Sequence, residues 1–230
     1  MFFKKPQEAA VNGFLIVDKP SGMTSHDVVS VVRKKFNMKR VGHAGTLDPL
    51  ATGVLILLLG KATKLFNKFS SFDKAYEATM LLGTSTDTAD IEGKIIEKNS
   101  FEGIDQNGVE ETFAKFVGDI EQIPPMVSAI KVKGKRLYKL ARQGIAVERE
   151  ARKIRIDALK LMHFSLPEVK FYLECSKGTY VRQIAEDVGK LLGCGACISQ
   201  IRRTQIGRFH ISQATPLEEI NASHIRYWQD

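Results

Sequence analysis

The stretch Val41-Gly42-His43-Ala44-Gly45-Thr46-Leu47-Asp48-Pro49-Leu50-Ala51-Thr52-Gly53 decides how this chain is read. It holds three glycines, one proline and one acid, and it runs straight into an apolar run at 54–59. The proline biases Asp48 away from helix. Gly42, Gly45 and Gly53 allow tight backbone paths around the carboxylate. The expectation is an irregular segment ahead of a buried strand, where a fixed scaffold presents a functional side chain. Local features leave a second reading open, in which Asp48 only caps or turns the chain.

Working outward, residues 13–17 read as a buried strand and 18–22 as a turn. Thr24 and Ser25 suit a helix N-cap, and 27–36 carries Val28, Val31, Val32 and Phe36 at helical spacing. Downstream, a short helix is expected over 62–69, a strand over 76–82, a polar acidic loop over 84–93 and a helix over 109–117. A short strand at 128–132 and a short helix at 137–143 follow. Residues 154–164 and 169–175 read as a two-stranded meander. Residues 179–192 read as a helix closed by Gly193, 198–203 as a strand and 216–220 as a short terminal helix. Strands and helices mix without a βαβ rhythm, which implies α+β with a mostly antiparallel sheet. No repeat or long linker interrupts the 230 residues, so a single domain over 1–230 is the expectation.

A hydrophobic fraction of 43% and a charged fraction of 26% are those of a globular chain. The run at 54–59 is too short to cross a bilayer. The first ten residues hold no secretory signal, so a cytoplasmic location without membrane contact is expected. Three cysteines argue against a disulfide framework. Cys194 and Cys197 form a C-x-x-C, but no second pair completes a zinc site, and no metal is expected. Net charge is +8. Between residues 123 and 155, ten Lys/Arg face two acids, a local excess equal to that of the whole chain. Such a segment suits a polyanion contact, or else is a solvated loop.

The signature 41–53 resembles that of the TruB family of tRNA pseudouridine synthases. Gly13-x4-Asp18-Lys19-Pro20-x-Gly22-x-Thr24-Ser25 is similar to the family's first motif. Lys74-x-Tyr76, Thr86-Asp87-Thr88, Ser128-Ala129-x-Lys131, Ala141-Arg142-x-Gly144 and Ser176-Lys177-Gly178-Thr179-Tyr180-Val181-Arg182 follow in family order. The resemblance covers residues 13–217. It implies the pseudouridine synthase fold, with 123–155 as a basic RNA-gripping thumb or loop. It implies isomerisation of uridine to pseudouridine at position 55 in the T loop of tRNA, without cofactor, metal, guide RNA or obligatory protein partner. A monomer is the expectation.

By that resemblance Asp48 is the nucleophile. Arg182, at a helix start, is its cationic partner, two residues from Tyr180, so that an extended backbone there would aim both side chains the same way. Tyr76 stacks on the uracil and handles the C5 proton. Tyr180 and Ile201 are apolar walls, and Lys19 and Pro20 support the loop from below. His43 fills the space left in the RNA by the flipped base. Lys131, Lys133, Lys135, Arg136, Lys139 and Arg142 contact phosphates, with Lys61 and Lys64 adding to that surface. Family members continue into a C-terminal PUA domain, which is expected to be absent here. The competing readings are a non-catalytic RNA-binding or tRNA-folding module on the same scaffold, and a glycoside hydrolase using Asp87 or Asp90 as second carboxylate.

Overall fold

The computed structural model describes residues 11–128, 131–132, 135–137, 145 and 147–228. The helix expected at 137–143 and part of the strand expected at 128–132 lie outside the described residues. The chain divides into two compact units, one of residues 1–72 and 202–230, the other of residues 73–201.

The first unit is built on strand β1 (Gly13–Lys19), helix α1 (Ser25–Lys35), strand β2 (Val41–Ala44), strand β3 (Thr52–Leu59) and helix α2 (Phe66–Ser70). Thr24 caps α1 in a reciprocal box: its hydroxyl accepts from Asp27 N, and the Asp27 carboxylate accepts from Thr24 N. Arg33, Lys34 and Lys35 fill the last turn, where the helix dipole favours cations. Every residue of β3 after Thr52 is buried, so its sequence is uniformly apolar instead of alternating. β1 pairs antiparallel along its length, from Gly13 opposite Leu59 to Lys19 opposite Gly53.

One expectation is corrected on the other edge of β3. The segment 41–53 is not irregular throughout, because Val41–Ala44 forms β2, antiparallel to β3 from Val41↔Leu59 to Ala44↔Ile56. Its short Val-Gly-His-Ala sequence hid a strand that partner hydrogen bonds supply. The helix expected at 62–69 is a 3-10 turn, Gly60–Leu65, followed by the single-turn α2.

The C-terminal half of the first unit returns to the same core. Thr215–Pro216 forms a short strand parallel to β1, with Val17 opposite Thr215. The expected helix at 216–220 is therefore absent: Glu219 N bonds the Pro216 carbonyl in a turn. Phe14 and Arg226 exchange backbone hydrogen bonds of 2.8 and 2.9 Å. That places Trp228 against Phe14, Phe69, Phe72 and Phe209, with Phe69 and Trp228 edge-on at 4.8 Å. Ile16, Ala44, Val54, Ile56 and Leu58 complete this cluster.

The second unit contains β4 (Lys74–Leu82), β5 (Thr84–Thr86), β6 (Ile95–Lys98), α3 (Gln106–Ala114), β7 (Gly118–Gln122), β8 (Lys131–Val132), β9 (Lys135–Arg136), β10 (Arg152–Ser165), β11 (Glu168–Cys175) and α4 (Val181–Leu191). Strand β12 (Ala196–Ile206) gives its residues up to Ile201 to this unit and the rest to the first. β4, β11, β10 and β7 pair antiparallel in that order. Phe113 of α3 meets Phe171 of β11 edge-on at 5.8 Å. α4 buries Ile184, Ala185 and Val188. The architecture is α+β with a mixed, mostly antiparallel sheet and flanking helices. Strands β5 and β6 form a hairpin where only a loop was expected. β7 went unread because Gly-Asp-Ile-Glu-Gln alternates between half-exposed and exposed positions.

Folding redistributes the charge. The second unit, cationic segment included, holds nineteen Lys/Arg and nineteen Asp/Glu, while the first holds fifteen against seven. The net +8 therefore resides in the first unit. No helix among the described residues is long and apolar enough to cross a membrane.

Cys175, Cys194 and Cys197 are buried free thiols. Burial pushes Cys175 up to about 12 and Cys197 up to about 11, so both stay protonated at neutral pH. No three His, Cys, Asp or Glu among the described residues gather as a metal site.

A Cβ on Gly189 of α4 would stand 2.3 Å from Ala196 N and 2.4 Å from the Gly195 carbonyl carbon. Alanine normally stabilises a helix interior by about 1 kcal/mol over glycine. Here the backbone of β12 cannot recede, and overpacking costs about 1–3 kcal/mol or more. Gly189→Ala is expected to lower the thermal midpoint by about 5 °C, measured by circular dichroism; an unchanged or higher midpoint contradicts the close packing.

Candidate active site

Asp48 lies at the tip of the connection between β2 and β3. The two strands pair only as far as Ala44 and Ile56 and then part. Residues 45–51 leave the sheet there, and Asp48 sits half-buried among them. Its own carbonyl accepts from Ala51 N at 3.1 Å, closing a turn. The flanking residues are fixed from several sides. The Ser25 hydroxyl, at the start of α1, accepts from Leu47 N at 2.8 Å and donates to the Leu47 carbonyl at 3.0 Å. The Pro49 carbonyl accepts from Gly22 N at 2.9 Å, and Ser21 Oγ donates to the Leu50 carbonyl at 3.3 Å.

Lys19 is fully buried at 0% exposure. Its ammonium donates to the carbonyls of Pro20 (2.7 Å), Met23 (2.6 Å) and Pro49 (3.3 Å). A buried ammonium is costly unless its donors are satisfied, and here the acceptors are the turn and loop beside Asp48. The structure thus puts Lys19 beneath the loop, where sequence reading expected support; Pro20 is exposed. Next along β12, Arg202 pairs with Asp18 at 2.7 Å.

His43 lies in β2, and its Nδ1 is buried without a hydrogen-bond partner among the described residues. Burial first, then the positive charges of Arg203 and His26, hold its imidazole below its ordinary value, against a weaker opposing pull from the Gly45 backbone.

In the second unit Tyr76 lies on β4, buried opposite Leu173 of β11. Arg182 is buried at 4% exposure in the first turn of α4. Its guanidinium donates to the Thr88 carbonyl at 2.6 Å and the Val127 carbonyl at 2.9 Å, and lies 3.7 Å from the Asp90 carboxylate. Asp90 also accepts from Thr88 Oγ1 at 2.7 Å and Glu92 N at 3.1 Å. Asp90 therefore belongs to the arginine's setting, which removes it as a free second carboxylate for a hydrolase. Arg182 and Tyr180 do not share an extended segment: Tyr180 is the extended N-cap residue and Arg182 is helical. A cation in a first helical turn opposes the helix dipole, and the neighbouring carboxylate and two carbonyls offset that cost.

Gln122 was not anticipated. Buried at the end of β7, it accepts from Tyr180 N (2.9 Å) and donates to the Tyr180 carbonyl (3.1 Å). The only sequence signal was a glutamine closing a polar strand ahead of Pro124-Pro125. Ile201 is buried at 8% exposure. Lys131 and Arg136 face each other on the β8–β9 hairpin, next to Lys135. Lys133, Lys139 and Arg142 lie outside the described residues. Lys61 and Lys64 are exposed on the 3-10 turn after β3.

The mixed, mostly antiparallel sheet with flanking helices is the pseudouridine synthase fold, with Asp48 on a clamped loop of one unit and buried Arg182 at a helix start of the other. Solved structures bear out that class. Over 90% of this chain and 53% of the other, the fold matches one titled "Crystal Structure of a Cbf5-Nop10-Gar1 Complex" with a TM-score of 0.71 and 29% identity. It matches a second, titled "Structure of H/ACA RNP bound to a substrate RNA containing 2'-deoxyuridine", with a TM-score of 0.68 and 26% identity. The chain spans about half the length of those two.

The family model described as TruB family pseudouridylate synthase (N terminal domain) matches residues 33–181, and that described as tRNA pseudouridylate synthase B C-terminal domain matches 182–230. The chain belongs to the TruB family of pseudouridylate synthases. Proteins named tRNA pseudouridine synthase B are similar to it: one from Opitutus terrae is 50% identical over 92% of this chain and 88% of that protein. One from Clostridium acetobutylicum is 48% identical over 94% and 74%.

His43 generates a pH prediction. With its folded value held below the ordinary histidine value of about 6.5, the unfolded chain binds the proton more readily. Stability contributed by the neutral imidazole is present above 6.5 and is lost as pH falls from there through the depressed folded value. The imidazole should titrate in NMR with a midpoint below about 6.5, the ordinary histidine value, and His43→Gln should flatten the slope of stability against pH in that window. A midpoint at or above the ordinary value refutes the burial argument.

Proposed function

We propose that this chain isomerises uridine to pseudouridine at position 55 in the T loop of tRNA, with Asp48 as nucleophile on a flipped-out uridine. Family membership and the 50% identical relative support the reaction. The observation that carries the residue assignment is the clamping of Leu47 and Pro49 on either side of Asp48. Rigid presentation of a nucleophile is what covalent catalysis at a sugar carbon needs.

The reaction balances without a co-reactant. The N1–C1′ bond breaks, the C5–C1′ bond forms, C5 gives up a proton and N1 takes one. No electron leaves the substrate, so the chemistry calls on positioning and charge alone. Asp48 forms or stabilises the state at C1′ or on the uracil ring. Arg182 supplies the fixed positive charge that an ionised carboxylate requires in a dry site. Tyr76 stacks on the ring and serves the C5 proton. Tyr180, held at both backbone atoms by Gln122, and Ile201 form apolar walls.

His43 enters the gap left by the flipped base. Its depressed basicity suits this role, since a neutral imidazole stacks without adding charge. Lys64 and Lys61 on the first unit, and Lys131, Lys133, Lys135, Arg136, Lys139 and Arg142 on the cationic segment, meet phosphates. Recognition is by backbone and shape. The enzyme acts in the cytoplasm as a monomer without guide RNA.

The test is tritium release from an unmodified tRNA transcript labelled at uracil C5. Wild type is expected to release about one equivalent per tRNA, and Asp48→Asn none above background while still binding tRNA. Wild type that binds tRNA and releases nothing overturns the enzyme reading in favour of an RNA-binding module.

A further inference from the structure

Arg203 has no place in the roles assigned so far, yet it is the bulkiest side chain in the described fold buried below 2% exposure. Its Nε donates to the Val54 carbonyl at 2.8 Å, Nη1 to the Thr46 carbonyl at 3.4 Å and Nη2 to the Gly45 carbonyl at 3.1 Å. Gly45 and Thr46 begin the connection that carries Asp48, and Val54 lies just past its end. One planar fork therefore closes the mouth of the loop, where β2 and β3 have stopped pairing.

Gly53 of the signature is required by the backbone of this residue, and Gly45 lies at ordinary contact distance from its guanidinium. A Cβ on Gly53 would stand 2.2 Å from the Arg203 carbonyl oxygen and 2.9 Å from its nitrogen, because Arg203 pairs directly with Gly53. Gly45, at φ +90°, passes its bare Cα by the guanidinium, with Nη1 3.6 Å from where a Cβ would be. A neutral side chain would suffice to join two strands. A buried cation bonded only to carbonyl oxygens carries a desolvation cost that a purely structural tie does not call for.

We propose that Arg203 is a positioning residue for the nucleophile: its guanidinium fixes the start of the Asp48 loop against the strand that follows it, and so sets where the carboxylate points. It does this through the backbone, without touching substrate. A five-donor fork fits three divergent carbonyls, whereas a lysine ammonium is a single point of charge. The charge on Arg203 also bears on His43, whose basicity it lowers. The proposal rests on Asp48 being the nucleophile.

The test compares wild type with Arg203→Lys, which keeps the charge and loses the fork. Misplacement of a catalytic group by about 1 Å costs about 100-fold in rate. The expected result is a single-turnover tritium-release rate about 100-fold lower, with tRNA affinity within about twofold of wild type. Amide resonances of residues 45–51 should shift or broaden while those of α1 and β1 hold. His43 should keep its low titration midpoint in Arg203→Lys and move upward in Arg203→Met, where the charge is gone. Arg203→Lys with wild-type rate overturns the proposal. So does a rate loss matched by loss of tRNA affinity, or a variant that fails to fold, since either makes Arg203 a general structural residue. Wild type without tritium release refutes the functional reading instead, which keeps the two failures apart.

Discussion

Two buried cations on six backbone carbonyls hold the loop that carries Asp48 in the first unit. Lys19 takes the carbonyls of Pro20, Met23 and Pro49, and Arg203 takes those of Gly45, Thr46 and Val54. Asp48 lies between the two sets. A loop that leaves a sheet presents carbonyls with no ladder to join, and buried carbonyls without donors are costly. Small neutral donors would satisfy them one at a time. A lysine and an arginine satisfy three each and converge them, which fixes the loop's path as well as its hydrogen bonds. Both cations project from strands, β1 and β12, that pair with β3 itself. The fold and the loop are thus built on the same register.

Much of this was legible in the sequence, and what was missed has identifiable causes. The N-cap at Thr24, the apolar run of β3 and the glycine after α4 are local signals, and local structure followed them. β2 and β7 were missed because their residues are short, glycine-bearing or polar; their conformation comes from pairing with β3 and β10, which periodicity does not show. The terminal helix failed for the opposite reason. Its residues tolerate helix locally, but Thr215 and Pro216 are held extended beside Val17 and Asp18. At the site, Asp48 and Arg182 stood out by motif. Gln122 and Arg203 did not, and Asp90 was noticed only as a possible second carboxylate, because their partners are 58, up to 158 and 92 residues away in the chain.

Charge shows the same difference between chain order and folded order. Along the sequence the excess appears to lie at 123–155, yet nineteen acids of the second unit balance it. The first unit keeps the net +8, much of it on exposed lysines after α1 and β3. A polyanion is drawn by a net field beyond a Debye length of about 10 Å, so long-range attraction originates in the unit that carries Asp48.

Both units also tolerate several buried charges. Lys19, Arg203, Arg182 and Asp90 are each at 6% exposure or less. Removing any of them from water costs several kcal/mol before pairing, a large sum for a chain of this size, whose net stability is about 5–15 kcal/mol. Lys19 and Arg203 are directed at backbone oxygen, while Arg182 and Asp90 pair with each other and are completed by carbonyls on one side and hydroxyl and amide hydrogen on the other, so the cost is met within each unit. The groups around these charges are oriented by the fold itself, so little reorganisation is needed to keep them satisfied.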